Sequence, residues 1–74
     1  MSNEIKVKTT GLSNNQLNNL IMQLKKHVGI INAAIIDGNH GESYVHITGS
    51  ETPNFMRNYA NKIIESLKNG YEMQ

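Results

Sequence analysis

The chain has 74 residues, which is enough for one small domain with a single core, 1–74. It contains no cysteine, which excludes disulfides, iron–sulfur clusters, thiolate metal sites and a thiol nucleophile. The formal net charge of +1 gives little electrostatic attraction to nucleic acid or to anionic membranes.

The first predicted element is a strand over Glu4–Thr10. Its residues alternate, with Ile5 and Val7 on one face and Lys6 and Lys8 on the other. Such alternation is typical of a strand with one face on the core and one in solvent.

A glycine-led turn at Gly11 precedes a helix that is predicted to start at Ser13. Ser13 and Gln16 match a capping box, in which each side chain satisfies a free backbone N–H. The predicted apolar stripe of the helix is Leu17, Leu20, Ile21, Leu24 and Val28. The last turn favours cations and carries Lys25, Lys26 and His27. Gly29 is predicted to close the helix in the left-handed conformation.

A hairpin is predicted to follow. Its strands are Ile30–Ile36 and Ser43–Thr48, and the connection Asp37–Gly41 offers two glycines for positive φ. A second helix then begins with Thr52 as N-cap and Pro53 as first helical residue.

The second helix is predicted to end at Gly70, and a short closing edge strand is predicted over Tyr71–Gln74. The apolar stripe of this helix is Met56, Tyr59, Ala60, Ile63 and Leu67. The order of elements is therefore β-α-β-β-α with a short final strand.

This order predicts an α+β ferredoxin-like sandwich, in which two helices cover one face of an antiparallel sheet. The first and third strands are expected to be central. The residues expected beneath the helices are Ile5, Val7, Val45 and Ile47. The other face is expected to be open and to carry Lys6, Lys8, Tyr44, His46 and Thr48, with Ile36 or Ala34 beside them.

The whole chain resembles a heavy-metal-associated domain, the ferredoxin-like unit of copper chaperones and metal-pumping ATPases. Gly11-Leu12 stands for the family's Gly-Met, Val28-Gly29-Ile30 lies near its Gly-Val, and Gly70-Tyr71 matches its late Gly-Tyr. The family's two metal-binding cysteines would fall on Asn14 and Leu17. Neither is a ligand for a soft metal, so the resemblance implies the fold without the copper or zinc chemistry.

The C-terminal half, 33–68, also resembles the end of a KH domain, a fold that binds single-stranded nucleic acid. A hairpin is followed by Val45–Ser50 and an amphipathic helix. KH domains clamp nucleotides with a GxxG loop between two helices. The GxxG of this chain, Gly38–Gly41, lies in a predicted hairpin instead.

Neither the histidines nor the carboxylates predict a metal or catalytic site. His27, His40 and His46 lack the spacing of known ligand sets, even with Asp37 or Glu42. Ser43, Tyr44 and His46 offer a nucleophile and a base, but alternation places Ser43 and His46 on opposite faces. We therefore expect no cofactor, no metal and no enzymatic activity.

The open face is where function is expected. A small binding or regulatory module that docks a protein partner or a second copy is the main hypothesis. The alternative is single-stranded nucleic acid, with a base on Tyr44 and phosphates on Lys6 and Lys8. Residues 1–4 begin no apolar signal segment, so the cytoplasm is expected. The many asparagines suit a phage or low-GC bacterial regulator or inhibitor.

Overall fold

A computed structural model of the chain describes residues 2–38 and 41–69. Within them, three strands and two helices follow one another as β1 Asn3–Lys8, α1 Asn14–Lys26, β2 Ile30–Asp37, β3 Ser43–Gly49 and α2 Pro53–Lys68. The predicted α+β class and the order β-α-β-β-α are confirmed. The strand predicted over Tyr71–Gln74 lies outside the described residues.

The sheet has the strand order β1-β3-β2, and both pairs are antiparallel. The third strand is central, as predicted. Among the described residues, β1 pairs with β3 alone. Its predicted central place would therefore require a strand outside these residues to pair with its other edge. β1 ends at Lys8, before the predicted Thr10, and Thr9 is buried with its hydroxyl 2.8 Å from Ser43 Oγ.

Both helices pack on one face of the sheet, where alternate strand residues form the core. The strands contribute Ile5, Val7, Ile30, Ala33, Val45 and Ile47, all buried. The helices contribute Leu20, Leu24, Met56, Ala60, Ile63, Ile64 and Leu67. The predicted core positions on β1 and β3 are thus confirmed, and so is the stripe of α2, with Tyr59 half-buried at its margin.

Local side-chain hydrogen bonds fix the start of each helix. Gln16 N donates to Ser13 Oγ at 3.3 Å, and Ser13 N donates to Gln16 Oε1 at 2.8 Å, which completes the predicted capping box. Phe55 N donates to Thr52 Oγ1 at 3.2 Å, and Pro53 follows as the first helical residue. Both predicted N-caps are confirmed.

The predicted end of α1 is wrong. The helix ends at Lys26, His27 is already extended with ψ of 129°, and Val28 is 99% exposed. Since Val28 follows the helix, the helical period that placed it in the apolar stripe does not apply there. Gly29 does not adopt positive φ, and its buried carbonyl instead accepts a hydrogen bond from Ser50 N at 2.8 Å.

The hairpin connection uses one of its two glycines in the predicted way. Gly41 has φ of 76°, whereas Gly38 has no positive φ and donates its N–H to Glu42 O at 2.7 Å. The described part of α2 ends at Lys68 with Asn69 as its C-cap, before the predicted Gly70. Neither of the two described helices is long and apolar enough to cross a membrane.

Candidate functional site

The sheet face opposite the helices is built from three rows of facing side chains, because the strands pair in antiparallel register. Read from β1 through β3 to β2, the rows are Glu4 with Thr48 and Asn32, Lys6 with His46 and Ala34, and Lys8 with Tyr44 and Ile36. The structure therefore brings all six predicted site residues onto one face.

Tyr44 lies at one end of this face and is held by a carboxylate. Its hydroxyl donates to Glu42 Oε2 at 2.7 Å, and Lys8 Nζ lies 3.5 Å from Glu42 Oε1. The hydrogen bond from Tyr44, together with the charge of Lys8, lowers the pKa of Glu42. The same bond raises the pKa of Tyr44, since a phenolate would face the Glu42 carboxylate. The ring of Tyr44 is therefore fixed in orientation on the face.

A second carboxylate fixes His46 in the neighbouring row. The Nε2 atom of His46 lies 2.8 Å from Glu4 Oε1, across the β1–β3 pair. This bond reaches diagonally, since Glu4 stands opposite Thr48 and Lys6 stands opposite His46. Two carboxylates thus share the face with the predicted cations.

The unpaired positive charge of this region lies at the β1 margin. Of the described residues, no carboxylate lies within ion-pair distance of Lys6 or Arg57. Both side chains line a shallow groove of about 540 Å³ between β1 and the start of α2, which Glu4, Ile5, His46 and Pro53 complete. The groove joins the open face to the N-terminal end of α2.

The apolar part of the face lies toward β2. Ala34 is exposed, while Ile36 and Tyr44 are each half-buried and stand opposite one another. Among the described strand residues, Tyr44 is the single tyrosine, phenylalanine or tryptophan, and the imidazole of His46 lies two residues along the same face. The face therefore combines a small apolar patch on its β2 side with paired charges on its β1 side.

The first turn between strand and helix offers no comparable site. Gly11 takes φ of 97°, Asn14 is the exposed first residue of α1, and Leu17 is half-buried. An amide and an aliphatic side chain therefore occupy the positions at which the resembling family has thiolates.

The two described histidines lie on different sides of the molecule. His27 Nε2 lies 3.0 Å from Glu51 Oε2, and its ring centroid is 5.2 Å from those of both Phe55 and Tyr59. His27 thus fastens the end of α1 to the start of α2. In the described part of the chain, no three histidine, aspartate or glutamate side chains come together as a metal site would require.

The hydroxyl and imidazole that could form a nucleophilic pair are kept apart. Ser43 faces the helix side of the sheet and shares a hydrogen bond with Thr9, whereas His46 lies on the open face. This separation agrees with the alternation of β3. His40 lies outside the described residues.

Sequence reasoning missed the two carboxylates that neutralise the face. Glu4 could have been found, since it precedes Lys6 by two residues and alternation places both on one face. Glu42 lies in the connection before β3, where no period predicts the direction of a side chain.

Comparison with known proteins adds no relative: no protein-family model, no curated protein and no solved structure matches the chain significantly.

Proposed function

We propose that the chain is a non-enzymatic binding module that docks a protein, either a partner or a second copy, through the open face of its sheet. Such a module would act as a regulator or inhibitor in the cytoplasm. The observation that carries the proposal is the apolar patch formed by Tyr44, Ile36 and Ala34 beside paired charges. Binding hot spots are aromatic anchors of this kind, surrounded by a polar rim.

Preorganisation of Tyr44 supports the same function. Because its hydroxyl is already bonded to Glu42 at 2.7 Å, docking would immobilise few additional rotamers. A bound protein could cover the ring and Ile36 while the Lys8–Glu42 pair stays at the solvent-exposed rim.

Single-stranded nucleic acid is the second candidate function, and the cations Lys6 and Arg57 in one groove favour it. Two further observations weigh against it. Lys8 is neutralised by Glu42, and Glu4 places a negative charge where a phosphate would lie. A stacking platform also gains from several rings, whereas the described strands supply one tyrosine and the smaller imidazole of His46, which is bonded to Glu4.

The test uses the purified wild type and two variants as bait for proteins from cells that express the chain, followed by calorimetry with the purified partner. Tyr44→Ala is expected to weaken binding by roughly tenfold or more, as for other aromatic hot spots. Asn58→Ala, on the exposed side of α2, is the matched control and should bind like the wild type. Equal binding by all three would reject docking through this face.

The nucleic-acid alternative is tested by titrating fluorescent single-stranded RNA and DNA at low and moderate salt. Binding that falls steeply with salt and is lost in both Lys6→Ala/Lys8→Ala and Tyr44→Ala would replace the protein proposal. A protein interface centred on Tyr44 and Ile36 should depend only weakly on salt.

A further inference from the structure

Among the described residues, the two outer edges of the sheet, β1 and β2, differ sharply in composition. The β1 sequence carries Glu4, Lys6 and Lys8, and charged side chains of this kind discourage edge pairing. The β2 sequence, IINAAIID, has no charge before Asp37 and no proline. Within the described chain, no strand pairs with the outer edge of β2. A long, uncharged and β-branched edge of this kind is a ready template for another strand.

Exposed apolar side chains mark the same end of β2. Ile31 is 65% exposed at the irregularity in the β2–β3 register, and Val28, two residues before the strand, is 99% exposed. Both lie outside the core, although either side chain would gain about 1.5–3 kcal/mol from full burial. The edge therefore has apolar surface to bury as well as backbone groups to pair.

We propose that β2 pairs antiparallel with β2 of a second copy, so that the three described strands of each chain join into one continuous sheet. The inference goes beyond the proposed docking function, because it uses the β2 edge of the sheet and not its open face. A two-fold axis normal to the sheet near the middle of β2 relates the copies. Because side chains alternate along a strand, such an axis keeps core residues beside core residues.

Charge complementarity favours a second copy as the occupant. Asp37 is exposed at the C-terminal end of β2, and no described cation lies within ion-pair distance of it. Lys25 and Lys26 end the helix that leads into the start of β2. Antiparallel pairing brings the C-terminal end of one β2 next to the start of the other. Asp37 of each copy then lies near Lys25 and Lys26 of the other copy, so the dimer contains this contact twice.

The dimer would also enlarge the docking face. A two-fold axis normal to the sheet leaves both open faces on one side and both helical layers on the other. Ala34 and Ile36 lie on the open face of the strand that joins the copies, so their apolar surface becomes continuous across the junction. The candidate site of one chain is thereby half of a larger surface.

The first experiment measures mass by size-exclusion chromatography with light scattering over a range of concentrations. A mass of two chains is expected at high concentration. Ile31→Lys should weaken association by about tenfold or more, because a lysine at the pairing edge of each copy opposes burial. Asn58→Ala, on the exposed side of α2, is the control and should associate like the wild type.

Charge reversal separates a specific interface from general loss of hydrophobicity. Asp37→Lys alone and Lys25→Glu/Lys26→Glu alone should each weaken the dimer. When one chain carries all three substitutions, the positive and negative charges have exchanged places and attract one another again, so association should recover. Failure of the combined variant to recover, while each parent is weakened and folded, would overturn the proposed register.

Cysteine cross-linking locates the contact, since the chain has no cysteine of its own. If the two-fold axis passes Ala34, Ala34→Cys alone should form a disulfide-linked dimer under mild oxidation. If the axis passes Ala33, a mixture of Ala34→Cys and Asn32→Cys should do so instead. His46→Cys on the face and Asn58→Cys on α2 should not. Cross-linking at His46 alone, or a monomer at every concentration, would overturn edge pairing. Neither result decides partner docking, which the Tyr44 bait experiment tests separately.

Discussion

At the scale of single residues, the bond between Tyr44 and Glu42 controls two titrations. The raised pKa of Tyr44 means that the folded state holds the phenol proton more tightly than the unfolded chain does. This contribution to stability is present below the ordinary pKa of tyrosine and is lost as pH rises through the raised value. For Glu42 the lowered pKa works in the opposite direction, so its contribution is lost as pH falls through the lowered value. The bond is therefore intact around neutral pH.

Glu42→Gln should lower the pKa of Tyr44 toward its ordinary value, because the negative charge that opposes the phenolate is removed. The measurement is a pH titration of the Tyr44 ring resonances by NMR, which separates this tyrosine from Tyr59 and Tyr71. Glu65→Gln on α2 is the control and should leave the Tyr44 titration unchanged. An identical Tyr44 pKa in wild type and Glu42→Gln would contradict the observed hydrogen bond.

At the scale of elements, the two N-caps were predictable because a cap depends on residues within one turn. Ser13 with Gln16, and Thr52 before Pro53, carry their own hydrogen-bond partners in the sequence. The end of α1 was not predictable in this way. The ring of His27 is held by Glu51, Phe55 and Tyr59, which are at least 24 residues away in the chain. Tertiary contacts therefore decided where the helix stops.

The Thr52 cap leads to a stability prediction. Thr52→Ala removes the acceptor of the Phe55 N–H and should lower the free energy of unfolding by about 0.5–2 kcal/mol. Thr52→Ser keeps a hydroxyl at the same place and should stay close to wild type. Urea unfolding followed by circular dichroism measures both. Similar losses in the two variants would show that the hydroxyl is not what stabilises the start of α2.

On the open face, too, some side-chain positions follow from the local sequence and others follow from contacts with distant parts of the chain. Alternation along β1 and β3 placed Lys6, Lys8, Tyr44 and His46 correctly, since a strand has a fixed period. The irregularity between Ile30 and Asn32 interrupts that period in β2 and exposes Ile31, which no sequence pattern marked. The position of this irregularity follows from pairing with β3. Pairing partners are a property of the fold and not of the segment.

At the scale of the whole molecule, charge is distributed unevenly between the two layers. The helices carry five lysine or arginine residues against Glu65 alone: Lys25, Lys26, Arg57, Lys62 and Lys68. On the sheet face, Glu4 and Glu42 offset the cations. The low net charge of the sequence therefore conceals a cationic helical side. In the proposed dimer both cationic sides point the same way, away from the docking face.

Gly49 is where all three strands and α2 meet, and it provides a test of the whole arrangement. It lies opposite Asn3 in β1 and Ile30 in β2, and a Cβ added to it would collide with Gly29 O and lie 2.9 Å from Met56 Sδ. Backbone atoms block one side, so the collision cannot be relieved by a side-chain rotation. Gly49→Ala should lower the free energy of unfolding by roughly 1–3 kcal/mol, as expected for overpacking.

Thr48→Ala, one residue away on the open face, is the matched control for Gly49→Ala and should change the free energy of unfolding far less. Urea denaturation of both variants measures the difference. An alanine at position 49 that leaves stability unchanged would mean that β2 and β3 are not held together at Gly29 and Gly49. The β2 edge would then not have the position that pairing with a second copy requires, so this measurement also bears on the proposed dimer.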